Sequence, residues 1–266
     1  MIKACTLFAA KCPITLLGDH MQLPPVCEMN DTTLKNAEEN KEIVLWSQSA
    51  IAIETMFFDN IDTIYDAYIN NLPITFNYMQ KADLTKTFRF GNALSGVLDR
   101  YVYKNGFSSS GDKKTQIILY HVQCNYKDSI RNNIAEATAI ANMISCNKYQ
   151  IDNFAILTPY KKQVSSLKKY ILKPSDKQQV LTVHASQGKE WDTVILSVVD
   201  TAKKWFTDSS NAESNGLKVI NTAVSRAKKR LIIVCDANYW INEKEQLIGS
   251  LIDIADKKIK YKIVTD

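Results

Sequence analysis

Residues that could bind phosphate or nucleic acid occur in four short segments of this chain, and each lies at the end of a predicted strand. In the first segment, an apolar run ends in Gly18 and Asp19, and Gln22 follows before Pro24 and Pro25. Ligands of open α/β sheets bind where strand carboxyl ends meet the following loops, so this carboxylate and amide could lie over a phosphate and its metal. The prolines would stiffen the exit from the strand. An ordinary turn explains the same residues equally well.

The second segment places Arg89 between two aromatic residues, Phe88 and Phe90. A guanidinium group presents several donors in one plane to a phosphate, and a neighbouring ring can stack on a base. The alternative is a surface arginine beside two phenylalanines of the core. For a single triplet of this kind, that alternative is the more common arrangement.

The third segment runs from a predicted strand into a helix through Thr158, Pro159, Tyr160 and Lys161. A helix amino terminus with a hydroxyl group, an exposed aromatic ring and clustered lysines suits a nucleic-acid backbone with a stacked base. The later lysines of the same helix are more simply explained as a solvated face.

The fourth segment combines two stretches, His184–Glu190 and Asn221–Lys229. The first is a polar loop between two strands, in which Gly188 permits the close approach of another backbone. In the second, Arg226 lies near the end of a helix and just before a strand, from where it can reach across an interface as an arginine finger. His184 taken alone is more typical of a hydrogen-bonded structural histidine than of a catalytic one.

The elements that position these segments are predicted from hydrophobic patterns. Short runs that are apolar on both faces alternate with amphipathic stretches, which is typical of a parallel sheet covered by helices on each side. The predicted strands are Ile14–Leu17, Gln116–Val122, Phe154–Leu157, Val180–Val183, Thr193–Val199 and Leu231–Cys235. The predicted helices are Ser129–Cys146, Tyr160–Leu172, Glu213–Arg226 and Tyr239–Asp256, the last with Asn238 as its N-cap. The predicted fold class is therefore α/β, with a three-layer, doubly wound parallel sheet.

Composition and charge limit the kind of protein this can be. With 266 residues, of which 45% are hydrophobic and 23% charged, the chain can form one large core or two small ones. This excludes a disordered tail, a collagen-like repeat and a disulfide-rich miniprotein. The net charge of +5 permits a polyanionic partner without requiring one. The cysteines form no C-x-x-C pair and no stretch is apolar enough to span a bilayer, so we expect free thiols, no metal site, no membrane partner and a cytoplasmic location.

In order and spacing, these segments resemble the later motifs of superfamily 1 helicases. Gly18–Pro25 is similar to motif III, Phe88–Arg89 to motif IV, Thr158–Tyr160 to motif IVa, His184–Glu190 to motif V and Val224–Lys228 to motif VI. A single match of this kind is weak evidence, whereas five in the family's order are specific. The resemblance extends from Ile14 to Asp236, and Ser186–Glu190 is similar to the up-frameshift-like branch, which moves 5′ to 3′.

Two motifs of that family are absent from this sequence. No G-x-x-x-x-G-K-[ST] loop occurs, because Gly188-Lys189 is followed by Glu190 and position 183 is a valine, and the acid pair Asp-Glu occurs nowhere. The resemblance therefore implies residues 1–83 as the remnant of a first RecA-like domain with its connecting helices. Residues 84–266 would be the second RecA-like domain, of the P-loop NTPase type. We expect this chain to be a C-terminal fragment or a truncated product of a longer helicase.

The resemblance also implies three sets of site residues. Those that would act on the transferring phosphate are Gln22, Arg89 and Arg226. Those that would hold the nucleotide are Gly18, Asp19, Phe88, Gly188 and Glu190. Those that would face single-stranded DNA or RNA are Thr158, Pro159, Tyr160, Lys161, His184 and Ser186. The implied cofactors of the full-length protein are ATP and Mg²⁺, and we expect this chain alone to hold neither tightly.

Within these sets, the family assigns individual roles. Gln22 would sense the γ-phosphate, Phe88 would stack on adenine and Glu190 would hydrogen-bond the ribose. The two arginines would stabilise phosphoryl charge from exposed positions, once the missing N-terminal RecA-like domain closes on this one. A second class of function stays open, namely a nucleic-acid-binding or scaffold module without ATPase activity.

Overall fold

The computed structural model describes residues 19, 21–23, 83–124, 131–146, 153–201, 204, 207–209 and 215–261. Two compact units divide the chain: residues 1–20 with 24–80, and residues 21–23 with 81–266. The predicted strand Ile14–Leu17, Gly18 and the two prolines after Leu23 lie outside the described residues. The elements below all belong to the second unit.

Eight strands and seven α-helices make up the described part of this unit. The strands are β1 (Lys86–Thr87), β2 (Ser108–Ser109), β3 (Gln116–His121), β4 (Phe154–Thr158), β5 (Val180–Thr182), β6 (Trp191–Ser197), β7 (Ala227–Cys235) and β8 (Lys257–Lys260). The helices are α1 (Asn92–Leu98), α2 (Ile134–Ser145), α3 (Lys161–Tyr170), α4 (Pro174–Lys177), α5 (Asn215–Val224), α6 (Ala237–Trp240) and α7 (Leu247–Asp253). A π-helical turn (Asp99–Tyr103) extends α1, and a 3₁₀ turn (His184–Ser186) follows β5.

The main sheet has six parallel strands in the order β5-β4-β6-β7-β3-β8. The chain therefore moves from β3 out to β4 and β5, returns through β6 and β7, and passes β3 to end at β8. Loops leaving β4 and β6 lead in opposite directions, so these neighbouring strands form a topological switch point. A second, two-stranded sheet pairs β1 with β2 in parallel.

Alternate side chains of the central strands pack on opposite faces of the sheet, as a period of two requires. On one face, Ile117 and Leu119 of β3 join a core formed with α1, α5, α6 and α7. On the other face, Ile118 and Tyr120 of the same strand join a core formed with α2 and α3. The three-layer, doubly wound α/β fold expected from the sequence is confirmed.

Most predicted elements within the described residues are confirmed, with shifted ends. β6 begins at Trp191 and β7 at Ala227, both earlier than predicted. The single helix predicted over residues 239–256 is wrong, because the chain there forms two short helices, α6 and α7. The N-cap of α6 is Asp236 rather than Asn238, since its carboxylate accepts the Asn238 N–H at 3.0 Å.

The edge strand β8 has no counterpart among the predicted strands. Its sequence contains three lysines and one isoleucine, so it shows no apolar run. It pairs with β3, and lysines on such an edge discourage pairing with another chain. Within the described ranges, no helix has both the length and the apolar composition required to cross a membrane.

Candidate functional site

Arg226 and Glu190 lie side by side at the amino edge of the main sheet. Each residue immediately precedes a strand, and these strands, β7 and β6, are parallel neighbours that pair at Trp191 and Ala227. The Trp191 N–H donates to the Arg226 carbonyl at 3.0 Å, which holds the two strand entries together. Arg226 lies just before a strand, as predicted, and both residues are therefore at the sheet edge opposite to the strand carboxyl ends where ligands of open α/β sheets usually bind.

The Arg226 side chain is buried and aimed by carbonyl groups. Its Nε donates to the Thr222 carbonyl at 3.2 Å and its Nη1 to the Lys189 carbonyl at 3.3 Å, while Nη2 donates to the Gln22 side-chain carbonyl. The residue is 5% exposed, so the expectation of an exposed arginine is wrong at this position. Because the helix before it ends at Val224, the guanidinium folds back across the last helical turn rather than extending into solvent.

Arg89 reaches the same edge from the loop after β1. Its Nε donates to Glu190 Oε2 at 2.8 Å and its Nη1 to the Ser225 carbonyl at 3.1 Å. Lys228 contacts the other oxygen of Glu190, and the hydrogen bonds from Lys228 and Arg89 hold the pKa of this carboxyl below its usual value. Glu190 therefore stays ionised and orients both cations.

Phe88 and Phe90 flank Arg89 but differ in environment. Phe90 is 2% exposed and packs near Phe107, whereas the Phe88 ring is 69% exposed. Of the two alternatives for this triplet, the core position holds for Phe90 and fails for Phe88. An exposed ring beside an anchored guanidinium can stack on a planar ligand without first leaving the core.

The loop that carries Phe88 and Arg89 is fixed at its far end by Gly91. The Gly91 N–H donates to Thr115 Oγ1 at 2.9 Å, and the same hydroxyl donates to the Lys228 carbonyl at 2.8 Å. A β-carbon at position 91 would lie 2.4 Å from the Lys113 carbonyl oxygen, so only glycine allows this approach. The contact places the loop beside the start of β7, where Arg226 lies.

The resulting site is chemically suited to an anion. Arg89, Arg226 and Lys228 carry three positive charges against the single negative charge of Glu190. Among the residues that the structure describes, no group of three or more His, Cys, Asp or Glu side chains could hold a metal ion. Asp19 is half-buried and belongs to the unit of residues 1–20 and 24–80.

Tyr160 fills the topological switch point at the opposite, carboxyl edge of the sheet. Its hydroxyl donates to Asp200 Oδ2 at 2.6 Å, and Thr207 donates to the same oxygen. Tyr160 is 3% exposed, so the expectation of an exposed ring at the amino terminus of α3 is wrong. The crevice in which ligands of such folds usually bind is here occupied by the protein's own side chains.

The other residues expected to face a nucleic acid divide by exposure. Three of them are buried, namely Thr158, Pro159 and Ser186, and the Ser186 hydroxyl donates to the Val183 carbonyl at 2.6 Å. The expectation that these side chains face a nucleic acid at the surface is therefore wrong. Lys161 and His184 are exposed. Partial burial lowers the pKa of His184, and the positive charge of Lys161 adds to this effect.

The turn after His184 returns the chain from the carboxyl edge to the amino edge of the sheet. It contains Gly188 at a φ of +75°, a value that side chains disfavour. No described atom lies within 4 Å of a β-carbon placed there, so the prediction that Gly188 permits the close approach of another backbone is wrong. A 3₁₀ turn and the residues after it thus connect the exposed His184 with Glu190 at the amino-edge site, which consists of Gln22, Arg89, Glu190, Arg226 and Lys228. The short connection between β5 and β6 therefore contributes one residue to each candidate surface.

A buried polar network beneath the carboxyl edge was not predicted. The Glu136 carboxyl accepts the Ser197 hydroxyl at 2.7 Å and the Val199 N–H at 3.1 Å, and Gln163 donates to Ser197 at 2.9 Å. Val199 holds a φ of +75°, a strained value for a β-branched residue, and the carboxyl oxygens satisfy its N–H. No local pattern signals this network, because its members come from α2, α3 and the end of β6.

The sequence prediction also missed residues that support the amino-edge site. Four residues of the fourth segment support the site, although no role was predicted for them: Gln187, Asn221, Thr222 and Lys228. A lysine two positions after Arg226 was the available signal for Lys228. For the other three, nothing in the sequence indicates their contacts with residues more than 160 positions away.

Comparisons with known proteins give a consistent family. Residues 68–238 match AAA_12, described as an AAA domain. The chain is 28% identical over 244 residues to DNA polymerase alpha-associated DNA helicase A of Saccharomyces cerevisiae, covering 83% of this chain and 34% of that protein. It is 24% identical over 234 residues to an uncharacterized ATP-dependent helicase of Methanocaldococcus jannaschii, covering 87% of this chain and 33% of that protein. The chain thus spans about a third of these relatives.

Solved structures give partial superpositions. The C-terminal domain of a possible DNA helicase from Lactobacillus plantarum is 15% identical, with a TM-score of 0.36, and the match covers 56% of this chain and 87% of that one. The PRRSV helicase is 15% identical, with a TM-score of 0.34, and the match covers 59% of this chain and 24% of that one. Because the family match covers more than half of the sequence, the chain belongs to the AAA_12 family of AAA domains and is a helicase-like member of it.

Proposed function

We propose that this chain is the second motor-domain portion of an ATP-dependent superfamily 1 helicase, and that its amino-edge site contacts the nucleotide. One observation carries this proposal. Four residues that are far apart in the sequence come together at the amino edge of the sheet: Gln22, Arg89, Glu190 and Arg226. A site with two anchored guanidinium groups and an amide is suited to a polyphosphate. The AAA family and the helicase names of the relatives support the same function.

The proposed contacts follow from what each side chain can still offer. Phe88 presents its exposed ring to adenine. Arg89 and Arg226 would face the phosphate oxygens, where charge develops during phosphoryl transfer and a positioned guanidinium accelerates the reaction. Glu190 binds two cations, yet each carboxylate oxygen has a second lone pair with which it could accept a ribose hydroxyl.

ATP and Mg²⁺ fit this donor set only in part. The site supplies cations for the phosphates, whereas this sequence lacks the loop that cradles phosphates and the acid pair that holds magnesium in P-loop NTPases. We therefore expect no ATP turnover by this chain alone, measured as phosphate release with and without single-stranded DNA or RNA. Turnover that single strands stimulate and that Arg89→Ala removes would contradict this expectation.

Nucleotide binding to the chain itself tests the proposal directly. Titration with ATP, followed by ligand-observed NMR, should show weak binding with adenine protons nearest to the protein. Phe88→Ala and Arg89→Ala should each weaken binding by roughly tenfold, because a stacking contact or a charge-assisted hydrogen bond is worth about 1.5 kcal/mol. Arg100→Ala is the matched control, since Arg100 is an exposed arginine of the π-helical turn. Equal affinities in all three variants would refute the proposed site.

Single-stranded nucleic acid is the proposed second ligand, and Lys161 with His184 is the proposed contact. Because Tyr160 is buried, we propose phosphate contacts here and no stacking by this ring. Fluorescence anisotropy with labelled DNA and RNA strands should show weak, salt-sensitive binding that falls in the variant Lys161→Ala. The control Lys258→Ala removes a lysine from β8, the outer strand on the side of the sheet away from β4 and β5, and should leave the affinity unchanged. Equal losses in both variants would indicate nonspecific charge attraction and would contradict the assignment.

A further inference from the structure

The segment Met21–Leu23 is held on the second unit by three side chains. Thr222 Oγ1 accepts the Leu23 N–H at 3.0 Å, and Gln187 Nε2 donates to the Leu23 carbonyl at 2.8 Å. On the other side of Gln22, Asn221 Nδ2 donates to the Met21 carbonyl at 2.9 Å. Backbone groups before and after Gln22 are therefore both fixed, and the grouping of residues 21–23 with 81–266 agrees with these contacts.

Thr222 joins this segment to the arginine of the site. Its hydroxyl accepts from Leu23, while its carbonyl accepts the Arg226 Nε–H at 3.2 Å. Arg226 in turn donates to the side chain of Gln22. One residue of α5 thus sets the position of both partners of the Gln22–Arg226 contact.

Asn221 shows that these contacts serve more than the packing of the core. The residue is fully buried and its Nδ2 also donates to the Tyr103 hydroxyl at 3.2 Å, yet its Oδ1 has no hydrogen-bond partner among the residues that the structure describes. A buried acceptor without a partner is unfavourable, and an apolar side chain of similar size would avoid that penalty. The Leu23 side chain is buried in the hydrophobic core, with 7% of the residue exposed. Its packing there does not require a polar neighbour such as Asn221.

We propose that Gln187, Asn221 and Thr222 are positioning residues that clamp the Met21–Leu23 backbone, so that Gln22 and Arg226 meet the terminal phosphate of a nucleotide as one rigid pair. The proposal rests on the proposed nucleotide site and adds the residues that hold its two central groups together. The clamp residues themselves do not face the ligand. They act through the backbone on either side of Gln22.

The Leu23 amide gives a test of the clamp that needs no nucleotide. Thr222→Val keeps the shape of the side chain and removes the acceptor, so exchange of the Leu23 amide hydrogen should accelerate at least tenfold. Thr222→Ser retains the hydroxyl and should restore slow exchange. The Val194 amide of β6 reports global unfolding, and its exchange should stay unchanged in both variants. Unchanged exchange at Leu23 in Thr222→Val would overturn the proposal.

A second variant addresses the role of the clamp in ligand binding. Gln187 is only partly buried, so Gln187→Ala should fold normally while releasing the Leu23 carbonyl. We expect Gln187→Ala and Thr222→Val to weaken ATP binding several-fold, and Thr222→Ser to bind like the unmodified chain. Faster Leu23 exchange with undiminished ATP affinity would overturn the positioning role. Failure of the unmodified chain to bind ATP would instead refute the proposed function, and Leu23 exchange would still decide whether the clamp exists.

Discussion

Glu136 should make the stability of this protein fall as the pH rises from acid to neutral. The residue is fully buried in the network with Ser197 and Val199, and its pKa is raised from 4.5 to about 8. Desolvation is the main cause, and the negative charges of Asp200 and Asp236 add to it. The hydrogen bonds from Ser197 and from the Val199 N–H oppose the shift without cancelling it.

The sign and size of the effect follow from proton linkage. Below pH 4.5 this carboxyl is protonated in both states, so stability does not depend on its titration. Between pH 4.5 and about 8 the unfolded chain releases the proton while the folded chain keeps it, and each pH unit lowers the free energy of unfolding by about 1.4 kcal/mol. Over the whole window the loss is on the order of 4 to 5 kcal/mol, and above about pH 8 it levels off.

Urea unfolding of the Glu136→Gln variant between pH 5 and pH 8 measures this contribution. Glutamine has the shape of the neutral acid and does not titrate, so the variant should gain stability relative to the unmodified chain by about 1.4 kcal/mol per pH unit. Contributions of other groups cancel in this difference. In the matched control Glu190→Gln, the difference should stay flat over the same range, because the pKa of Glu190 lies below its usual value. A constant difference for Glu136→Gln would show that the buried carboxyl is ionised and would refute the reasoning.

Two further substitutions test the packing of the two candidate surfaces. Tyr160→Phe should lower the free energy of unfolding by about 1 to 3 kcal/mol, because Asp200 loses a buried donor, and should leave oligonucleotide affinity unchanged in anisotropy measurements. Reduced affinity without reduced stability would contradict the burial of this ring. Gly91→Ala should cost about 1 to 3 kcal/mol, because the new β-carbon would lie 2.4 Å from the Lys113 carbonyl oxygen. Gly96→Ala is the control, because it adds the same methyl group to α1 at a point where no described atom lies within 4 Å, and it should stabilise by about 0.5 to 1 kcal/mol. Equal melting temperatures in the two glycine variants would refute the argument.

The strands and the layers could be predicted because buried elements have a characteristic pattern of apolar residues in the local sequence. The runs that became β3, β4 and β6 are buried along nearly their whole length, so they are apolar at successive positions. The stretches that became α2 and α3 place apolar residues at helical spacing, and Asn133 caps α2 by accepting the Glu136 N–H at 3.0 Å. Such features depend on neighbours a few residues away, and these are visible in the sequence.

Long-range contacts overrode the pattern where the prediction failed. The helix predicted over residues 239–256 is interrupted because Gln246 accepts the Ser209 N–H at 2.6 Å and donates to Asp208 at 2.9 Å, which holds it outside the helix. A β-carbon on Gly249 would lie 2.2 Å from the Glu243 carbonyl oxygen, so the two short helices pack closely at that glycine. Likewise, β8 is a strand because it pairs with β3, despite its lysines.

The candidate site also combines features that the sequence predicts with features that depend on the tertiary structure. Residue types and their order along the chain were sufficient to predict Gln22, Arg89, Glu190 and Arg226 as a functional set. Only the tertiary structure decided that they meet at the amino edge, that Arg226 is buried and that Tyr160 fills the carboxyl edge. The contacts join residues 101 positions apart for Arg89 and Glu190 and 204 apart for Gln22 and Arg226. A local pattern records which side chains are buried, whereas the partner across such a separation depends on how strands and helices from the whole domain pack together.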